Sequence, residues 1–229
     1  MIVSRNVNRR DLRAELPKIA ALAGELGCTQ ILFNLFTIDD RKGNRPNKRA
    51  ILGQKVKSAI LESGDLEKYG TLQVEWWDRR RRKPSIFHRA FARSSEHPSK
   101  KQKLVDEFPM RCRNGQALLI CGESNIITIK RGRRKRVADE YGFLKLLDKH
   151  CVKVIYLPLH SYMRRYEMKI KRQTMSAKGR TVISVWCTGT KGESKVPWNV
   201  FKNKRDITGK VREVQHKIRK DLRIGIIEV

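Results

Sequence analysis

Short apolar segments alternate along this sequence with segments of helical periodicity, and this alternation most constrains the fold that the chain can adopt. Apolar runs rich in Val, Ile and Leu are typical of strands that are buried on both faces of a sheet. Apolar residues at spacings of three and four predict amphipathic helices. The expected strands are 29–38, 71–77, 117–121, 152–157, 181–186 and 224–229, and the expected helices are 11–26, 50–61, 100–108, 137–149, 161–175 and a basic C-terminal helix at 210–222.

This order of elements predicts an α/β fold in which helices cover a largely buried sheet. A chain of 229 residues is long enough to bury one such core, and the sequence shows neither an internal repeat nor a long linker. We therefore expect a single domain over residues 1–229.

The cysteines and the hydropathy pattern exclude several classes of protein. Five cysteines are scattered without a CxxC pair, which argues against a disulfide framework or a zinc ribbon. We predict reduced thiols, no metal and no cofactor. The absence of an apolar window of roughly 18 to 20 residues predicts a soluble, intracellular protein, either cytoplasmic or associated with a nucleoid or nucleus, without a membrane partner.

Charge is the strongest compositional signal, because 52 Lys and Arg face 23 Asp and Glu, for a formal net charge of +29. Such an excess favours a polyanionic partner, most often nucleic acid, although a solvated surface in a basic proteome is the alternative. The basic residues concentrate at 79–83, 130–136, 164–172, 202–205 and 217–223. The candidates for phosphate binding are Arg79, Arg80, Arg81, Arg82, Lys83, Lys130, Arg131, Arg133, Arg134, Lys135 and Arg136.

Two tryptophans precede the first basic cluster. Alternation along the strand at 71–77 predicts that one of Trp76 and Trp77 is buried and that the other is exposed. An exposed indole beside a basic groove is able to stack on an unpaired base.

The segment ALLICGESN, residues 117–125, resembles the nucleophile strand of the nitrilase, or carbon-nitrogen hydrolase, superfamily. In that family a buried apolar strand ends in Cys, any residue, and then Asp or Glu. The segments 152–161 and 178–189 resemble the strands that follow. The resemblance implies a nitrilase-like layered sheet with helices on the outer face, and a homo-oligomer as a possible assembly.

The resemblance also implies a Glu-Lys-Cys triad, in which a thiolate attacks, a carboxylate acts as base and a lysine stabilises the intermediate. Cys121 matches the nucleophile, and Glu123 is the acid of the motif. Arg89 stands where the lysine is expected, which is not a conservative replacement. The strand at 29–38, where the general-base Glu is expected, contains no acid, and the nearest are Asp39 and Asp40.

Each candidate also has a structural interpretation. Cys121 at the end of an apolar strand is able to serve as a small buried hydrophobe. Glu123 is able to form a salt bridge with a nearby arginine. His160, on the loop after the strand at 152–157, either reaches the same pocket or is a satisfied loop histidine.

Three functions therefore remain open, and whether the protein is an enzyme remains open with them. The first is a nucleic-acid-associated protein on a divergent nitrilase-like scaffold. The second is a thiol-dependent carbon-nitrogen hydrolase that uses Cys121 as nucleophile. The third is a metal-dependent nuclease, for which the acids Asp78, Asp106, Glu107 and Glu123 form no recognisable motif.

Overall fold

The computed structural model describes residues 1–6, 11–65, 67–68, 71–130, 136–160, 166–189 and 196–229. Its strands are β1 (Ile2–Ser4), β2 (Gln30–Phe33), β3 (Ile38–Asp39), β4 (Ser58–Gly64), β5 (Gln73–Asp78), β6 (Ser85–Phe87), β7 (Cys112–Arg113), β8 (Gln116–Leu118), β9 (Thr128–Lys130), β10 (Arg136–Ala138), β11 (Val154–Pro158), β12 (Thr181–Val185), β13 (Trp198–Lys202), β14 (Arg205–Asp206), β15 (Arg212–Val214) and β16 (Arg223–Ile226). Its helices are α1 (Leu16–Glu25), α2 (Lys48–Leu52), α3 (Pro98–Glu107), α4 (Phe143–Lys149) and α5 (Tyr166–Met175).

Two mixed sheets form the centre of the fold. The first has the strand order β15-β16-β1-β2-β4-β5-β6, with β3 also paired to β4, and its strands β1, β2 and β4 run parallel. The second has the order β14-β13-β12-β11-β8-β7, with β8, β11 and β12 parallel. Strands β9 and β10 form a separate antiparallel hairpin. Because the parallel strands of each sheet end at one edge, the loops after β8 and β11 lie near each other.

Side chains of the first sheet alternate between two cores. Along β4, Ala59 and Leu61 pack with the buried residues of α1 and α2, whereas Ile60 packs in the core that includes the second sheet. Trp76 also faces the second sheet, where its ring centroid lies 6.3 Å from that of Tyr156 in an edge-to-face contact. The first sheet is therefore covered by helices on one face and by the second sheet on the other.

Helix α5 packs against β12 and β13 of the second sheet. The layers thus run helix, sheet, sheet, helix, which is the layered α/β arrangement expected for this chain. Within the described residues, no helix combines the length and the apolar character that a membrane crossing requires.

Three of the expected helices are wrong over part or all of their length. Residues 137–149 were expected to be one helix, but β10 covers Arg136–Ala138 and α4 begins at Phe143. Residues 50–61 were expected to be one helix, but α2 ends at Leu52 and β4 begins at Ser58. The basic C-terminal helix expected at 210–222 is absent from this described segment, where β15 instead pairs antiparallel with β16. Along 50–61 the apolar residues fit two periodicities, and pairing with neighbouring strands decides between them. At 210–222 the apolar spacing is helical, and the pairing of β15 with β16 overrides it.

The segment expected as one strand at 29–38 is divided into β2 and β3. Phe36, between them, has a φ of 62°, a left-handed conformation that a bulky residue rarely adopts. The prediction that one tryptophan is exposed is also wrong: Trp76 is 2% and Trp77 7% exposed. Both are buried because both faces of the first sheet are covered.

Candidate functional site

Cys121 lies in a turn at the carboxyl end of β8. The backbone N–H of Leu119 donates to the carbonyl oxygen of Tyr156 at 2.9 Å, which extends the alignment of β8 with β11 beyond the last residue of the strand. Gly122 follows with a φ of 93°, and a Cβ there would lie 2.5 Å from the carbonyl oxygen of Ala92. Only glycine fits this turn, which holds the buried Cys121 side chain at the edge of the sheet.

His160 approaches Cys121 from the loop after β11. The backbone N–H of Leu159 donates to the carbonyl oxygen of Val185 at 2.8 Å and holds this loop against the second sheet. The His160 ring and its backbone both form hydrogen bonds with Cys121. The sequence left open whether His160 reaches the pocket or is a satisfied loop histidine. In the structure it contacts the candidate nucleophile, Cys121.

Glu62, on β4 of the first sheet, completes this group of side chains. Its carboxylate oxygens lie 3.0 and 3.2 Å from Nε2 of His160. The same imidazole ring therefore contacts both Glu62 and Cys121. Thiol, imidazole and carboxylate thus form a continuous chain of contacts, which is the arrangement that activates a nucleophile through an oriented base.

Phe36 holds the Glu62 carboxylate in place. Its backbone N–H donates to Oε2 of Glu62 at 2.7 Å, and its ring centroid lies 4.2 Å from that of His160. Nε of the buried Arg5 donates to the Phe36 carbonyl oxygen at 2.9 Å. The left-handed backbone at Phe36 is therefore held by contacts on both sides, as is typical of strained residues at functional sites.

The electrostatics of Cys121 and His160 favour an ion pair. Burial opposes ionisation of the Cys121 thiol, but hydrogen bonds and charge from His160, with the charge of Arg89, lower its pKa below the ordinary value. Burial alone would lower the pKa of His160, but its hydrogen bonds to Cys121 and Glu62 raise that pKa to about 9. Both shifts act in the same direction, toward a thiolate beside an imidazolium.

A cavity of about 290 Å³ opens beside these groups and is lined by Glu62, Leu72, Val74, Phe87, His88, Arg89, Ile120 and His160. Arg89, the residue in the place of the expected lysine, is exposed at this cavity. The sequence-predicted residues Cys121 and Arg89 are thus brought to one site, although by elements from both sheets.

Glu123 belongs to a buried ion pair. Its Oε2 accepts from Nη1 of Arg111 at 2.8 Å and from the backbone N–H of Ile120 at 2.7 Å, and its Oε1 accepts from the backbone N–H of Ala90 at 2.7 Å. Both side chains have no exposed surface. Glu123 therefore holds the Cys121 turn against the loop that carries Arg89, the salt-bridge role that the sequence left open, and its direct participation in catalysis stays an unsupported prediction.

Sequence reasoning did not find Glu62. The general-base carboxylate was expected near residues 29–38, where the nearest acids are Asp39 and Asp40, and Asp39 pairs with Arg41 at 2.8 Å. The available signal was an acid within the apolar segment AILE of β4. An acid on the inward face of a buried strand requires a polar partner, and here that partner is His160.

The basic candidates are divided between structural and exposed roles. Arg79 donates to the carbonyl oxygens of Val56 at 3.0 Å, Leu52 at 3.3 Å and Gly53 at 3.0 Å, so its guanidinium is used within the fold. The exposed candidates are Arg80, Arg81, Arg82, Lys83, Lys130 and Arg136. Residues Arg131, Arg133, Arg134 and Lys135 lie outside the described residues.

The acids considered for a nuclease also have protein partners. Asp78 accepts from the backbone N–H of Arg80 at 2.8 Å, Asp106 from Gln102 at 2.9 Å, and Glu107 from Arg111 at 3.2 Å. The described residues contain no group of three or more His, Cys, Asp or Glu side chains placed to hold a metal ion.

Comparison with known proteins identifies the fold. No protein-family model and no curated protein sequence matches the chain. Among solved structures, an amidase from Nesterenkonia sp. is similar, with a TM-score of 0.51 and 11% identity over 98% of this chain and 89% of that chain. A variant of the amidase from Nesterenkonia sp. AN1, with the acetamide moiety of fluoroacetamide covalently added at its active-site cysteine, has a TM-score of 0.52 and 12% identity over the same shares.

The Nesterenkonia AN1 amidase belongs to the nitrilase superfamily. At 11 to 12% identity this similarity shows the fold alone. The predicted fold class, a nitrilase-like layered α/β fold, is confirmed.

Proposed function

We propose that the protein is a thiol-dependent hydrolase of carbon-nitrogen bonds in small amides, with Cys121 as the nucleophile. The observation that carries the proposal is the continuous contact of Glu62, His160 and Cys121 beside a cavity of about 290 Å³. A thiol with a lowered pKa and an oriented imidazole is the combination that acyl transfer from an amide requires.

In the first half of the reaction, the Cys121 thiolate attacks the amide carbon. Backbone N–H groups of Cys121 and Gly122 donate no hydrogen bond within the part of the chain that the structure describes, and so are available to the developing oxyanion. The His160 imidazolium gives its proton to the leaving nitrogen as the carbon-nitrogen bond breaks. The products are an amine and a thioester on Cys121.

In the second half, neutral His160 takes a proton from a water molecule, whose oxygen attacks the thioester carbon. The carbon-sulfur bond breaks, the acyl group leaves as a carboxylic acid, and the thiolate-imidazolium pair is restored. Glu62 holds the ring in one orientation and stabilises its charged form during both halves. Each turnover consumes one water molecule and needs no metal or redox partner.

The similar structures support this function over nucleic-acid binding as the main activity. One of them carries a covalent acetamide group on an active-site cysteine. The fold therefore accommodates thiol chemistry at an amide-sized group, and the contacts around Cys121 supply the reactive groups in this chain.

Selective alkylation together with an amide screen tests the proposal. We expect iodoacetamide at neutral pH to modify Cys121 faster than the exposed thiol of Cys151, as read by peptide mass. Release of ammonia from a panel of small primary amides is expected to require Cys121, so that Cys121→Ser loses turnover while Cys151→Ser keeps it. Equal alkylation of both thiols, or turnover by Cys121→Ser, would refute the function.

A second candidate function is binding of a polyanion, including nucleic acid, by the basic loop, residues 79–83. Within the described residues, the side chains of Arg80, Arg82 and Lys83 form no hydrogen bond or ion pair. Nζ of Lys48 donates to the carbonyl oxygens of Arg79 and Arg81 and holds the loop in its conformation. A fixed loop of unpaired cations supports phosphate contacts without base specificity.

The salt dependence of binding to a generic duplex tests this candidate. Replacing Arg80, Arg82 and Lys83 together by Gln is expected to reduce the slope of log K against log salt by up to about 3. The matched control is Gln at the dispersed, exposed Lys18, Lys145 and Lys149. Equal losses in both triple variants would indicate an effect of net charge alone and would refute a binding loop.

A further inference from the structure

Arg89 is a cation with unused donors at the mouth of the cavity. It is exposed, lines the cavity together with His160, and forms no hydrogen bond or ion pair within the described residues. Its charge also affects the Cys121 thiol. Burial raises the pKa of that thiol, hydrogen bonds and charge from His160 lower it, and the charge of Arg89 lowers it further. A guanidinium thus lies within electrostatic range of the reacting atom, with its hydrogen-bonding fork free for a ligand.

The acids around the cavity are already engaged. Glu62 is the one acid among the described cavity-lining residues, and it accepts from Phe36 and contacts His160. Glu123, on the nearby turn, is paired with Arg111. No acid among the described residues contacts Arg89, so the donors of its guanidinium have no protein acceptor there.

The volume of the cavity limits the size of a ligand that binds Arg89. About 290 Å³ lies at the lower end of the volumes that hold drug-sized ligands. The walls contributed by Leu72, Val74, Phe87 and Ile120 are apolar. The space suits a short carbon chain with a polar group at each end, rather than a polymer backbone.

We infer that the substrate is a small amide bearing a carboxylate, which Arg89 binds at the cavity mouth while Cys121 attacks the amide carbon inside. One guanidinium matches a monoanion through two parallel hydrogen bonds. The inference rests on the proposed function of Cys121. Stabilisation of the oxyanion by Arg89, which the resemblance implies, requires a rigid donor shielded from water, whereas Arg89 is exposed and has no partner among the residues that the structure describes.

A pair of alkylating reagents tests this role without knowledge of the substrate. Iodoacetate and iodoacetamide both form a carbon-sulfur bond with Cys121 and release iodide, but only iodoacetate carries a carboxylate. We expect Arg89→Gln to lower the rate with iodoacetate about tenfold relative to the rate with iodoacetamide. The ratio of the two rates removes any change in thiol ionisation, which affects both reagents alike.

Arg49, on the helical layer beyond the first sheet, provides the matched control. Arg49→Gln removes the same charge from an exposed position, and we expect it to leave the ratio of rates unchanged. Arg89→Lys is expected to retain part of the preference for iodoacetate, because it keeps the charge but not the fork. Thermal unfolding checks that each variant is folded.

The outcomes separate this inference from the proposed function. If Cys121 is selectively alkylated but Arg89→Gln leaves the ratio unchanged, or slows both reagents equally, the carboxylate-binding role is refuted and the thiol chemistry stands. If Cys121 is not selectively alkylated by either reagent, the proposed function fails, and the inference fails with it.

Discussion

Two buried carboxylates near the same turn have opposite roles. Glu123 has no exposed surface and holds three groups in place: Arg111, Ala90 and Ile120. Glu62 is 3% exposed, lines the cavity and contacts a histidine that can gain or lose a proton. The acid that the sequence motif marks is therefore held by an arginine and two backbone N–H groups, and the acid without a motif contacts the histidine of the candidate site. The partner of a buried carboxylate, rather than its burial, decides what it does.

Glu62→Gln gives the largest expected effect. The amide still accepts from the backbone N–H of Phe36 but no longer stabilises charged His160, so kcat/KM is expected to fall by roughly 10²- to 10⁴-fold. The free energy of unfolding is expected to fall by about 1 to 3 kcal/mol, because a hydrogen bond to a charged group is lost while His160 is able to release its proton. Steady-state kinetics on the amide identified in the screen, with urea unfolding, measure both. Full activity in this variant would remove Glu62 from the site.

Glu123→Gln tests the second of the two carboxylates, the one that is paired with Arg111. It removes one of the two carboxylates that pair with the buried guanidinium of Arg111 and leaves Glu107, which is expected to cost about 1.5 to 3 kcal/mol of unfolding free energy. Urea unfolding measures this loss. Where the variant is folded, alkylation of Cys121 is expected to persist at a similar rate. A stable variant with an unreactive thiol would instead place Glu123 in the chemistry.

The pH profile reports the coupling between Cys121 and His160. Alkylation is expected to increase as pH rises through the lowered pKa of the thiol, and turnover to decline as pH rises through about 9, where His160 loses its proton. In Glu62→Gln, the alkaline decline is expected to move to lower pH, because Glu62 raises the pKa of His160. A decline that does not move would show that the coupling is absent.

Gly122 links the two carboxylates, because it lies between Cys121 and Glu123. Gly122→Ala places a methyl group 2.5 Å from the carbonyl oxygen of Ala92 at a φ of 93°, and is expected to cost about 1 to 3 kcal/mol of unfolding free energy. Gly209→Ala is the control, since no atom lies within 4 Å of its added Cβ. Equal stability of the two variants would contradict the close approach at Gly122.

Strands and helices were predictable where the apolar residues of a segment fit only the helical or only the strand periodicity. The apolar runs at 152–157 and 181–186 became β11 and β12, since a continuous buried run of that length fits a central strand. The segment 50–61 was not predictable, because Ile60 and Leu61 satisfy a helical pattern and also alternate between the two faces of β4. Only the neighbours β2 and β5 decide in favour of the strand.

Some residues of the candidate site were also predictable from the sequence, and one was not. Cys121 and Arg89 were found from local patterns, and His160 from its position after a strand. Glu62 was not found, because it comes from the opposite sheet and its separation from His160 along the chain carries no regular spacing. Its contact with His160 depends on two sheets facing each other, which no local pattern encodes.

By itself, the sequence determined the alternation of strands and helices, the excess of positive charge and the position of the thiol after a buried strand. These properties follow from local side-chain chemistry and short-range periodicity. Long-range packing sets which acid contacts the histidine, which arginines are used within the fold, and which cation at the cavity has no partner among the described residues. Those outcomes depend on the three-dimensional placement of residues far apart in the chain, where burial and proximity set the energy of each charge.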